Sequence, residues 1–114
     1  METADLSHHI SRRFNADLEG VRTRVLAMGG FVEEQLQKAV TALVEGDSTL
    51  GEAVALDDRK VNDMEISIDE ECSRILATRA PTAGDLRVIV AIIKTITDLE
   101  RIGDEGEKIA YIAG

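Results

Sequence analysis

The sequence predicts an all-α fold, a single antiparallel up-down-up bundle of three long helices. Three observations support this prediction. Hydrophobic residues make up 44% of the 114 residues but aromatic residues only 3%, and an aliphatic, aromatic-poor composition favours helices over strands. Apolar residues recur at steps of three and four along three segments. The two stretches between these segments are short and carry helix-ending residues, so successive helices should be antiparallel.

The first helix is predicted from about Leu6 to Glu45, because one apolar stripe follows that whole segment. Gly29 and Gly30 interrupt the stripe, and a glycine in a helix interior costs roughly 1 kcal/mol relative to alanine. Two interpretations are open, a tolerated weak point or a place of close helix packing or bending. The stripe consists of Phe14, Leu18, Val21, Val25, Met28, Val32, Leu36, Ala39 and Leu43.

The second helix is predicted from about Ser48 to Ala77. Gly46 is a typical residue for ending the first helix, and Asp47 and Ser48 are typical N-caps. The only cysteine, Cys72, falls on the apolar stripe of this helix. We therefore predict that Cys72 is a small core residue and not a reactive thiol.

The third helix is predicted from about Ala83 to Ile112. Pro81 cannot continue a helix interior, and Thr82 followed three residues later by Asp85 resembles a capping box. Two apolar stripes follow this helix, so one should face the bundle and the other should need a further neighbour, such as a second copy of the chain. The stripes are Val88, Ile92, Leu99, Ile102 and Ile109, and Ile89, Ile93 and Ile96.

The net charge of −9 argues against nucleic-acid binding, because a protein that grips phosphates needs a basic face. Such acidity suits solvation, metal cations or a basic partner. The N-terminus lacks the basic-then-apolar order of a secretion signal. The longest apolar run, Val88 to Ile93, is far too short to insert into a membrane. These features predict a cytoplasmic protein.

Two acid-x-x-x-acid motifs carry the candidate chemistry, Glu65 with Asp69 on the second helix and Glu100 with Asp104 on the third. Residues four apart share a helix face, so each motif presents two carboxylates that repel each other. Hard or borderline cations, such as iron, zinc, manganese or magnesium, would relieve that repulsion. Gly103, beside the second motif, would clear space there, and so would Gly106.

Residue counts from Pro81 place the two motifs at different heights along the bundle. Asp69 lies 12 residues before Pro81 and Glu100 lies 19 after it, which correspond to heights of about 18 and 28 Å along antiparallel helices. Glu65, 16 residues before Pro81, comes nearer to the level of Glu100. Because 22 of 114 residues are acidic, such spacings also arise by chance. A structural bundle with only surface charge therefore stays an alternative.

Other chemistry has little support. His8 and His9 are adjacent and face different sides of any helix, which disfavours them as ligands. There is no Glu-x-x-His pair for a ferritin-like di-iron site, no phosphate-cradling glycine loop and no nucleophile–base pattern. A carboxylate-bridged metalloenzyme is the alternative from another class, and the lack of histidine ligands argues against it. We expect no catalytic residue.

Several stretches together resemble the PhoU family, and the resemblance extends over nearly the whole chain. The most specific stretch is Leu99-Glu100-Arg101-Ile102-Gly103-Asp104. The other stretches that agree in order are His9-Ile10-Ser11, Phe14 to Glu19, Ala27-Met28-Gly29-Gly30, Asn62 to Glu71, and Arg79 to Arg87.

PhoU proteins consist of two tandem three-helix bundles with metal-binding acid-x-x-x-Asp motifs. The resemblance implies that Glu65, Asp69, Glu100 and Asp104 are metal ligands and that residues 1–114 form the first bundle, without the second. It also implies a non-enzymatic function, restraint of phosphate uptake and phosphate-starvation signalling when phosphate is plentiful. The implied partners are the phosphate ABC transporter and its membrane sensor histidine kinase.

Overall fold

Three antiparallel helices form the whole fold, as predicted. The computed structural model describes residues 2–79 and 81–113, with side chains from residue 12 onward, so the side chains of His8 and His9 lie outside the described residues. Helix α1 spans Glu2–Glu45, α2 spans Ser48–Thr78 and α3 spans Ala83–Ala113. Each helix packs against the other two, in a rod of 67 × 17 × 16 Å. Within the described ranges there is no β-strand.

The turn between α1 and α2 is formed by the residues that the sequence indicated, Gly46 and Asp47. Gly46 has a φ of 67°, a conformation that glycine adopts without the steric cost of a β-carbon. The amide of Asp47 donates to the carbonyl of Ala42 at 2.9 Å. The side chain of Asp47 then accepts a hydrogen bond from the amide of Leu50 at 3.0 Å, which satisfies one of the free donors at the start of α2.

The second turn holds the predicted capping box. The amide of Asp85 donates to the Thr82 hydroxyl at 3.2 Å, and the amide of Thr82 donates to the Asp85 carboxylate at 3.0 Å. The reciprocal pair fixes the start of α3 immediately after Pro81. The predicted ends of all three helices agree with the structure to within one residue at every end except the start of α1.

The core changes in character along the rod. Toward Pro81 it is built from large aliphatic side chains, with Met28, Ile68 and Ile96 almost fully buried. Cys72 is buried among them, as predicted, and burial raises the pKa of its thiol. Toward the other end Val54, Val61 and Gln35 are buried together with many small residues, namely Ala39, Ala42, Gly51, Gly103, Gly106 and Ala110. Small residues allow helix backbones to approach closely, and this end carries most of the acidic side chains discussed below.

Two sequence interpretations are resolved by packing. A β-carbon added at Gly29 or Gly30 would meet nothing within 4 Å, so these glycines do not mark close packing. On α3, Ile89 and Ile96 enter the core, whereas Val88 and Ile102 are 40% and 43% exposed. One stripe therefore faces the bundle, and part of the other faces outward, as the sequence predicted.

An ionic network joins α1 to the end of α2. Arg79 donates from Nε to the Asp17 carboxylate at 2.8 Å, and Arg74 lies 3.2 Å from the other carboxylate oxygen. Burial alone would raise the pKa of Asp17, but the hydrogen bonds from Arg79 and Arg74 outweigh it and lower that pKa. None of the described helices has a segment long and apolar enough to cross a membrane.

Candidate metal centre

Helices α2 and α3 approach each other closely beside Gly103. A β-carbon built there would sit 3.1 Å from Cγ1 of Val61 and 3.4 Å from Oδ1 of Asp58. Any larger residue at 103 would therefore have to displace α2 side chains. The glycine of the sequence motif thus brings the carboxylate of Asp58 against the backbone of α3, next to Asp104.

Three carboxylates converge at this place. One oxygen each from Asp58, Asp104 and Glu107 lie within 4.8 Å of one another. The register of the α2–α3 hairpin explains the convergence, because Asp58 and Asp104 are each 23 residues from Pro81. Antiparallel helices that leave a turn together reach equal heights at equal residue counts.

The electrostatics of this cluster are unfavourable without a cation. Burial, then hydrogen bonding and charge repulsion with Glu107, raise the pKa of Asp58 to about 7, and Asp104 and Glu100 add further repulsion. Burial and then repulsion from Asp104 and Glu65 also raise the pKa of Glu100. Burial first, and repulsion between the carboxylates second, therefore disfavour the charged form of Asp58 and Glu100.

Of the four ligands that the resemblance implies, Asp104 is the one whose carboxylate belongs to the converging group. Asp104 lies in the cluster with Asp58 and Glu107, and Glu65 is near enough to Glu100 to raise its pKa. Asp69 is exposed and does not belong to the converging oxygens. This agrees with the helix heights, which placed Glu65 nearer than Asp69 to the level of Glu100.

Sequence reasoning missed Asp58 and Glu107. Two signals could have found them. Glu100, Asp104 and Glu107 follow the i, i+4, i+7 spacing of one helix face, and Asp58 lies seven residues before Glu65. Equal residue counts from Pro81 then match Asp58 with Asp104. On each helix the row of carboxylates is longer than the acid-x-x-x-acid motif: it includes Glu107 on α3 and Asp58 on α2.

These carboxylates have the chemistry of a hard-cation site. Among the side chains described from residue 12 onward, no Lys or Arg lies within 4.0 Å of the carboxylates of Asp58, Glu65, Glu100, Asp104 or Glu107. The nearby ion pairs are local, Lys60 with Asp57 at 3.4 Å and Lys108 with Glu105 at 3.3 Å. Several convergent carboxylate oxygens without a basic partner are the donor set that Mg²⁺, Mn²⁺ or iron accepts. The residues present therefore fit a bound metal.

Comparison with known proteins identifies the family. Residues 25–113 match the PhoU domain. The chain is 60% identical over 105 residues to the "Phosphate-specific transport system accessory protein PhoU homolog" of Pseudomonas putida, which covers 92% of this chain and 41% of the relative. It is 52% identical over 113 residues to the "Phosphate-specific transport system accessory protein PhoU" of Escherichia coli K12, with 99% of this chain and 47% of the relative covered.

A solved structure has the same fold. The crystal structure of PhoU from Pseudomonas aeruginosa superimposes with a TM-score of 0.85 at 56% identity, covering 88% of this chain and 48% of that one. The chain spans about half the length of the relatives it matches. With a family match over most of its residues and this level of identity, the chain belongs to the PhoU family.

Proposed function

We propose that this chain takes part in restraining phosphate uptake and phosphate-starvation signalling, as a non-enzymatic, metal-binding adaptor in the cytoplasm. The observation that carries the proposal is its identity of more than half to proteins named as accessory to phosphate-specific transport. The negative charge and the lack of a nucleophile–base pattern in the sequence agree with an adaptor. The proposed partners are the phosphate ABC transporter and its membrane sensor histidine kinase.

The metal would be held by the chain's own carboxylates. Asp104, Asp58 and Glu107 would ligate one ion, and Glu65, Asp69 and Glu100 are the candidate ligands for a further ion nearer to Pro81. Iron, zinc, manganese or magnesium would supply positive charge that neutralises the mutually repelling carboxylates. The role of the side chains is to fix α2 against α3 in one register, so that the surface presented to partners is rigid.

Self-association is a further part of the proposal. Leu86 and Val90, four residues apart on one face of α3, are 42% and 63% exposed, and large exposed apolar patches are rare on stable monomers. A second copy covering this face would remove it from water. Light scattering that shows a clean monomer at high protein concentration would rule this part out.

The function is tested in a bacterium that lacks its own PhoU protein. Expression of this chain should lower phosphate uptake and the activity of a phosphate-starvation reporter in phosphate-rich medium. A variant with Asp58 and Asp104 changed to Asn should restore less of the regulation. A matched variant with Glu33 and Glu34 of α1 changed to Gln should behave as the unchanged chain does.

The full-length E. coli relative is the positive control. If that relative restores regulation while this chain, present at the same level, changes neither uptake nor the reporter, the proposed function is wrong for this chain. If the chain restores regulation and the Asp58/Asp104 variant does so equally well, the adaptor function stands and the metal contribution is wrong.

A further inference from the structure

One amide side chain is buried in the core close to the carboxylate cluster. In the part of the chain whose side chains are described, residues 12–79 and 81–113, Gln35 of α1 is the buried polar residue, with 5% of its surface exposed. An amide removed from water costs free energy unless it keeps a hydrogen bond. The Nε2 atom of Gln35 donates to the backbone carbonyl of Val54 at 3.4 Å. The side chain therefore links α1 to one particular turn of α2.

The turn that Gln35 contacts is the one that carries Asp58. In an α-helix each amide donates to the carbonyl four residues earlier, so the Val54 carbonyl also accepts the amide of Asp58 within α2. A carbonyl oxygen has two lone pairs and can accept both hydrogen bonds. Asp58 is one of the three residues whose carboxylate oxygens converge. The side chain of Gln35 and the backbone of Asp58 thus share one acceptor atom.

The same part of α1 also lies against α3 beside the cluster. A β-carbon built on Gly106 would lie 3.8 Å from the Cα atom of Leu36, the residue that follows Gln35. Glu107, which directly follows Gly106, is another of the converging carboxylates. The three converging oxygens belong to α2 and α3, but residues 35 and 36 of α1 contact both of those helices within one turn of the oxygens.

We propose that Gln35 is a positioning residue of the metal centre formed by Asp58, Asp104 and Glu107. Its amide holds the α2 turn from Val54 to Asp58 from the α1 side, so that the Asp58 carboxylate is directed at the other two before a cation binds. This inference rests on the proposed metal binding and adds α1 to it. Hydrogen-bonded neighbours of metal ligands orient those ligands, and losing one typically weakens metal binding by about 10- to 100-fold.

The variant Gln35→Met separates this role from a purely structural one. Methionine is a flexible side chain of similar length without a donor. The Val54 carbonyl keeps its hydrogen bond from the Asp58 amide, so the substitution leaves no buried polar group without a partner. The metal-free variant should therefore unfold at the same urea concentration as the unchanged chain, or at a higher one. If Gln35 only stabilised the fold, the urea midpoint would fall and the metal affinity would stay the same.

The deciding measurement is the affinity for Mn²⁺, followed by the electron paramagnetic resonance signal of the free ion. It is made at a temperature where circular dichroism shows that every variant is folded. Gln35→Met should bind Mn²⁺ about tenfold more weakly than the unchanged chain.

Two variants control for the substitution and for stability. Gln37→Met is the same change at an exposed glutamine two residues further along α1, and it should bind Mn²⁺ as the unchanged chain does. Ile75→Val, in the core toward Pro81, should lower the urea midpoint because it removes a buried methyl group, yet leave the Mn²⁺ affinity unchanged.

A double-mutant cycle tests whether Gln35 acts through Asp58. In a chain that already carries Asp58→Asn, the further change Gln35→Met should weaken Mn²⁺ binding by less than about twofold, since the effects of coupled residues are not additive. A full tenfold loss in that background would show that Gln35 does not position Asp58.

The failures of the two proposals are distinguishable. Equal Mn²⁺ affinity of Gln35→Met and the unchanged chain would overturn the role of Gln35 and leave the metal proposal intact. An unchanged chain that binds no Mn²⁺ would contradict the metal centre itself for this cation, and the positioning role of Gln35 would fail with it.

Discussion

Gly103 on α3 faces Asp58 on α2 so closely that a β-carbon on residue 103 would lie 3.4 Å from the Oδ1 atom of Asp58. The same β-carbon would lie 3.1 Å from Cγ1 of Val61, a buried core residue. A residue that weakens the helix thus creates the contact that positions the carboxylate cluster. The glycines of this chain therefore differ in how closely they are packed, since Gly103 has neighbours within 3.5 Å of a built β-carbon and Gly29 has none within 4 Å.

Replacing two of these glycines by alanine should have different effects. Gly29→Ala should raise the free energy of unfolding by about 1 kcal/mol, because alanine is the better helix former and nothing lies within 4 Å of the new β-carbon. Gly103→Ala gains the same helix propensity but must displace Val61, and overpacking costs about 1–3 kcal/mol. Urea unfolding midpoints should therefore place Gly103→Ala clearly below Gly29→Ala. Equal stabilisation by both changes would show that α2 and α3 are not in close contact at residue 103.

The capping box at the start of α3 should be measurable as a coupled pair. Thr82→Ala should lower the free energy of unfolding by about 1 kcal/mol, because it removes the acceptor for the Asp85 amide. Asp85→Ala removes the acceptor for the Thr82 amide. A double-mutant cycle in urea should show that the two losses are not additive. An unchanged midpoint for Thr82→Ala would contradict the start of α3 at this position.

The pH dependence of stability should carry the signature of the carboxylate cluster. Since the pKa of Asp58 in the folded protein is raised to about 7, the native state keeps a proton that the unfolded chain releases above about pH 4. The free energy of unfolding should therefore fall as the pH rises from about 4 to 7. Asp17 and Glu71, whose pKa values are lowered, act in the opposite sense, with stability lost as the pH falls below about 4.

Metal-free protein should thus melt at a higher temperature near pH 5 than near pH 7.5. Asp58→Asn should flatten this dependence and stabilise the protein at the higher pH, since it removes a repelling charge. Glu33→Gln on α1 is the control and should leave the slope unchanged. A wild-type melting temperature that rises from pH 5 to pH 7.5 in EDTA would contradict the raised pKa.

Metal binding should stabilise the fold and should depend more on Asp58 than on Asp69. A metal at about a hundred times its dissociation constant should add about 2.7 kcal/mol to the free energy of unfolding if it binds only the native state. The variant with Glu65, Asp69, Glu100 and Asp104 changed to Ala should lose this effect while it stays helical. Among single changes, Asp58→Asn should reduce the melting shift more than Asp69→Asn, because only Asp58 joins the converging oxygens.

Thermal melts with each of Fe²⁺, Zn²⁺, Mn²⁺ and Mg²⁺ test this order. If Asp69→Asn reduced the metal-induced melting shift more than Asp58→Asn does, the ligands would be those that the two acid-x-x-x-acid motifs imply, and Asp58 would not be one of them. Identical shifts for the wild type and the four-alanine variant with every metal would mean that these acids are only surface charge.

The helices and their ends were predictable because their causes are local. Gly46 adopts its positive φ, Asp47 caps α2, and Thr82 and Asp85 cap each other across three residues. Such contacts depend on neighbours in the chain, so composition and spacing indicate them directly. The buried position of Cys72 was also predictable, since a stripe of apolar residues at helical spacing defines one face.

The acidic motifs show where prediction from the sequence ended. Spacing within a helix singled out Glu65, Glu100 and Asp104 as candidates. It did not single out Asp58 and Glu107, because their position beside Asp104 depends on which residues of α2 contact which residues of α3. The buried Gln35, which donates to the carbonyl of Val54 at 3.4 Å, was likewise missed. Each of these residues gains its significance from a contact between helices.

The sequence by itself therefore determined three helices, their caps, their antiparallel order and the family. Tertiary structure decided which side chains of α2 contact those of α3, and with them the carboxylates that converge. The physical reason is that a helix forms through hydrogen bonds between residues four apart, whereas helix register depends on side-chain volumes at distant positions. Gly103 is one such position, because its lack of a side chain leaves room for Val61 and Asp58.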